Sequence, residues 1–131
     1  MAPVFRMVCS PAALARAPRD WALETLRDGE VALLIDDGGL AAINAAAHAL
    51  DLVTVSIVRT EETADRQAQT VIAFAGAFPL VWVGAGFSEL VRAWARDRRP
   101  MTLLVEVDGP LPGEERSRIA RFLTLLGRQT E

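Results

Sequence analysis

Short apolar runs alternate along this chain with segments whose apolar residues recur at helical spacing. The first run, residues 4–8, is followed by Pro11 and Pro18, which delay a helix predicted over 19–28 with Gly29 as its stop. Residues 31–35 are uninterrupted apolar, the pattern of a strand buried on both faces. An Ala-rich helix is predicted over 40–50, where small side chains all round allow close packing on a sheet. A third strand is expected over 52–58. Thr60 is the expected N-cap of the next helix, in which Ala64, Ala68, Val71, Ile72 and Ala75 repeat at helical spacing before Gly76 ends it. The fourth strand is placed at 80–83, with Pro79 tolerated at its start. Gly84-Ala85-Gly86 then leads into a helix with Phe87, Leu90, Val91, Trp94 and Ala95 on one face. A fifth strand over 101–107, turn signals at Asp108-Gly109-Pro110 and Pro112-Gly113, and a helix with Ile119, Phe122, Leu123 and Leu126 inward complete the pattern.

Strands alternating with helices imply right-handed βαβ crossovers, and so an α/β fold: a doubly wound, mostly parallel five-stranded sheet with helices on both faces. The 131 residues suit one domain spanning 1–131. Two strand orders compete, a Rossmann-like 3-2-1-4-5 and a flavodoxin-like 2-1-3-4-5. Strands three and five carry polar residues (Thr54 and Ser56; Thr102 and Glu106), which suits them to the edges and favours the first order. Arg6 argues the other way, because a central first strand should not bury an arginine, and would put strand one at an edge.

Composition narrows the classes. Hydrophobic residues make up 51% and the mean hydropathy is +0.23, ample for a core. A net charge of −3 and a pI near 5.2 argue against a general nucleic-acid binder, which needs a basic surface to displace counterions. The longest apolar stretch, 71–87, is broken by three glycines and Pro79 and falls short of a membrane span. The single cysteine, Cys9, cannot form an internal disulfide, and the N-terminus lacks a signal-peptide pattern, so a reducing, cytoplasmic setting is expected. All 14 basic residues are Arg, which excludes Schiff-base chemistry and a P-loop lysine.

In an open parallel sheet, ligands bind beyond the carboxyl ends of the strands, where the strand order reverses. In the order 3-2-1-4-5 that point lies between strands one and four, bringing Ser10 near Gly84, Ala85, Gly86 and Ser88. Glycines there let a phosphate approach backbone N–H groups at a helix N-terminus. Val83-Gly84-Ala85-Gly86-Phe87-Ser88-Glu89 resembles a fragment of the Rossmann dinucleotide fingerprint, with Glu89 in place of its third glycine. Glu106 and Asp108 lie about 20 residues on, where that resemblance implies a ribose-binding acid. The competing reading is a tight turn needing positive φ, capped by Ser88 or Gly86.

Asp36 and Asp37, at the end of strand two, are the candidate metal ligands, as paired carboxylates suit Mg²⁺. Leu33-Leu34-Ile35-Asp36-Asp37 resembles the acidic pair of response-regulator receiver domains. The resemblance implies a phospho-accepting Asp two strands later and a Lys, but strand four ends in Gly84 and the chain has no Lys. A capped turn is the alternative. Cys9 reads as a buried, inert thiol, and His48, the only histidine, as a partly buried helix residue. Arg92, Arg96 and Arg99, with Arg98 adjacent, form a face that could dock an acidic partner but reads first as solvated. Glu114 and Arg118 form an expected i,i+4 pair. Trp21, Trp82 and Trp94 are expected to pack in the core or at an interface.

Two functions follow. One is a regulatory or interaction domain binding a protein partner, itself or a small ligand at the carboxyl-end loops. Its small apolar residues, in the second helix and at Ala73, Ala75 and Ala77, offer a dimer interface. The alternative is a small enzyme holding a nucleotide or phosphorylated small molecule at residues 84–88, with a metal at Asp36 and Asp37. The residues specify no cofactor and no complete catalytic constellation.

Overall fold

The apolar runs align side by side because most carry buried residues on both faces, and a strand of that kind is stable only inside a covered sheet. The computed structural model describes residues 3–35, 38–52, 55–98 and 101–129, with 128 and 129 described by their helical backbone alone. Among these, β1 (Phe5–Cys9), β2 (Gly29–Leu34), β3 (Val55–Val58), β4 (Leu80–Gly84) and β5 (Thr102–Glu106) alternate with α1 (Arg19–Thr25), α2 (Gly39–Ala49), α3 (Ala64–Ala75), α4 (Glu89–Arg98) and α5 (Gly113–Gln129). A single 3₁₀ turn, Pro11–Leu14, precedes α1 in the stretch where two prolines postpone the helix. Every strand pair is parallel and the order is β3-β2-β1-β4-β5.

The chain winds outward twice. From β1 it runs through β2 to β3, with α1 and α2 on one face. It then returns across the sheet to β4 and β5, with α3 and α4 on the other face. That is what right-handed crossovers require. Alternate residues of each strand feed the two layers. Met7, Cys9, Leu33 and Val81 pack under α1, α2 and α5, while Val8, Ala32, Leu80 and Trp82 pack under α3 and α4. Met7, Leu33, Leu80 and Ile119 have under 2% of their surface exposed, and each such side chain contributes about 1.5–3 kcal/mol by leaving water. These features define a doubly wound parallel α/β fold.

The strand order answers the objection raised by Arg6, which sits in the central strand at its amino end. There its guanidinium is held by an ion pair, a carbonyl and two aromatic rings. Nε donates to Glu30 Oε1 on β2 at 3.0 Å, and Nη1 donates to the Phe74 carbonyl. The rings of Phe74 and Phe78 flank it at 4.7 and 4.3 Å. Ser56 of β3 donates to the other Glu30 oxygen at 2.6 Å, so the polar row crosses three strands. A half-buried arginine is tolerated in a central strand when its charge is neutralised and hydrogen-bonded in place.

Several local expectations change. The helix expected over 19–28 ends at Thr25, and Gly29, expected as its stop, is the first residue of β2, paired with Phe5. Thr63, not Thr60, caps α3: its hydroxyl accepts from Arg66 N–H at 3.1 Å. Thr60 instead donates to the Ile35 carbonyl at 3.1 Å, tying the end of β3 to β2. Leu90 lies outside the packed face of α4 and is exposed, because Phe87, Val91, Trp94 and Ala95 already form the inward stripe.

Candidate functional site

The carboxyl ends of β1 and β4 meet where the order reverses. Val8 pairs with Trp82, so Ser10 emerges at the level of Gly84, two residues on in each strand. The predicted neighbours are therefore brought together. Ser10 caps the 3₁₀ turn, its hydroxyl accepting from Ala13 N–H at 3.4 Å. The Ala13 carbonyl accepts from Leu111 N–H at 2.9 Å, which anchors this loop to the β5–α5 connection.

The Gly84–Ser88 loop is a tight turn. Gly86 has φ +79°, the left-handed region that glycine enters without strain. Gly84 has no comparable need, because a Cβ there would make ordinary contact with the Phe87 ring at 3.6 Å. Ser88 opens α4, its hydroxyl accepting from Val91 N–H at 3.3 Å and its carbonyl from Arg92 N–H at 3.0 Å. Ala85 and Gly86 are exposed. Behind them Trp82 packs edge-on against Phe87 and Trp94, with ring centroids 5.3 and 6.5 Å apart.

Glu106 changes how this loop reads. Parallel pairing sets it opposite Gly84, and its carboxylate accepts from the Phe87 N–H at 3.3 Å. Arg92 donates both to Glu106 and, through Nε at 3.3 Å, to the Phe87 carbonyl. The loop's own amide therefore already faces an anion, one supplied by the protein and neutralised by an arginine one helical turn away. Sequence spacing singled out Glu106 as a ribose contact. Its place against the loop amide follows from the β4–β5 register.

Beside the crevice, between the 3₁₀ turn and α2, lies a groove of about 530 Å³. Every described residue lining it is Ala, Gly, Leu or Pro, with Ala12, Ala15, Ala45 and Ala49 exposed. Gly84, Ala85, Gly86 and Ser88 do not line it. Reading the 3₁₀ segment only as a delay before α1 concealed its part in this surface. Ala75 is buried in the other layer, so of Ala73, Ala75 and Ala77 only the first and last reach the surface.

The remaining candidates separate. Asp36 and Asp37 lie outside the described residues, and those residues contain no cluster of three or more His, Cys, Asp or Glu side chains that could hold a metal. Cys9 is fully buried, and burial pushes its thiol up to about 12, which keeps it protonated. His48 is exposed rather than partly buried, because Ile43 is the one fully buried side chain of α2. Arg92 and Arg96 pair with Glu106 and Glu89, whose carboxyl the Arg96 hydrogen bond holds below its usual range. Arg98 turns inward to the Phe78 and Gly76 carbonyls and stacks on Trp94, and partial burial lowers its pKa. Arg99 lies outside the described residues. Arg118 pairs with Glu115 at i,i+3, not with Glu114. Trp21 is half-buried and donates to the Arg116 carbonyl at 3.1 Å.

No helix among the described residues is long and apolar enough to cross a membrane. Compared with family models, with curated proteins and with solved structures, the chain matches none.

Proposed function

We propose that this chain is a regulatory or interaction domain that associates with a second copy of itself through the apolar surface between the 3₁₀ turn and α2. The observation that carries the reading is the groove of about 530 Å³ whose described lining residues carry no polar side chain. Apolar surface left in water costs free energy roughly in proportion to its area, and covering it favours association. Small alanine side chains let another backbone approach closely and lose almost no rotamer freedom when they are covered.

Gel filtration with light scattering is expected to show a dimer. Ala45→Glu, at an exposed position on α2, is expected to return a monomer with unchanged melting temperature. A strict monomer at high concentration would end this reading.

A nucleotide- or phosphate-binding enzyme is the second reading, favoured by Gly86 at positive φ ahead of α4. Against it, the Phe87 amide already faces the Glu106 carboxylate, whose charge would repel an incoming phosphate. A ligand at a hundredfold excess over its Kd would stabilise the fold by about 2.7 kcal/mol. A thermal-shift screen of nucleotides and dinucleotides, with and without Mg²⁺, separates the two readings.

A further inference from the structure

We draw no further inference here: the strongest candidate, the apolar cleft of about 450 Å³ between α1 and the end of α2 with Leu23, Leu26, Val31, Leu50 and Leu52 in its walls, carries nothing because its charged lining residues, Glu24, Arg27 and Asp51, are of both signs and nothing in the structure shows what covers it.

Discussion

Replacing Cys9 by Ala and following stability into the alkaline range tests how completely β1 is enclosed. The chain contains no Tyr and no Lys, so between about pH 9 and about 12 this thiol titrates almost without background. Cys9 has no exposed surface, and burial raises its pKa from 9.0 to about 12. Below the unfolded pKa both states hold the proton. Above it the unfolded chain releases the proton while the folded chain keeps it, so stability falls as pH rises and levels off past the folded pKa. Linkage puts the loss at about 1 kcal/mol at pH 10 and about 3 kcal/mol at pH 11. Urea unfolding of the parent chain at pH 8, 10 and 11 is expected to show this decline. Cys9→Ala is expected to start lower at pH 8 by the cost of the lost sulfur contacts, and then to stay nearly level. Absorbance at 240 nm reports the thiolate directly and should not rise in the folded protein until well above pH 10. Parallel declines in the parent and the variant, or a thiolate signal near pH 9 in the folded state, would refute the enclosure.

Gly29 and Asp51 test the backbone. A Cβ on Gly29 would lie 2.2 Å from the Phe5 ring on the paired strand, so Gly29→Ala is expected to cost about 1–3 kcal/mol or more by overpacking. Adding Phe5→Leu should recover part of that loss in a double-variant cycle read by urea unfolding. Asp51 has φ +56° at the end of α2, where Leu52 N–H bonds the Ala47 carbonyl and Asp51 N–H bonds the His48 carbonyl, the pairing that usually employs glycine. Asp51→Gly is expected to raise the melting temperature by relieving roughly 0.5–1 kcal/mol of strain, less a few tenths for the exposed ion pair to Arg19. Asp51→Ala, which keeps the strain and loses the carboxylate, is expected to lower it.

Most of the architecture is legible in residue order. The apolar run 31–35 reads as a covered strand, and β2 takes in 31–34 while Ile35 is exposed past its end; polar positions in the third and fifth runs mark the edges, because a half-exposed strand tolerates what a central one does not. Arg6 seemed to contradict this. Local pattern carries no information about partners that lie 24 and 68 residues away, and Glu30 and Phe74 are what make a central arginine acceptable. The turn at Gly86 and the cap at Ser88 were readable too, since positive φ and a free helix N–H are local requirements. The Thr63 cap was missed in favour of Thr60, because both hydroxyls suit the role and only the path from β3 to α3 selects between them.

By itself, the sequence determined the alternation of strands and helices, the parallel sheet, the burial of Cys9 and the positive-φ turn at Gly86, because each follows from local sterics or from apolar periodicity. Tertiary structure alone decided what the loops and helices face. Glu106 fills the amide of the glycine loop, and alanines from two separate segments join into one apolar groove. Those juxtapositions depend on register and packing between residues far apart in the chain, and no local pattern encodes them.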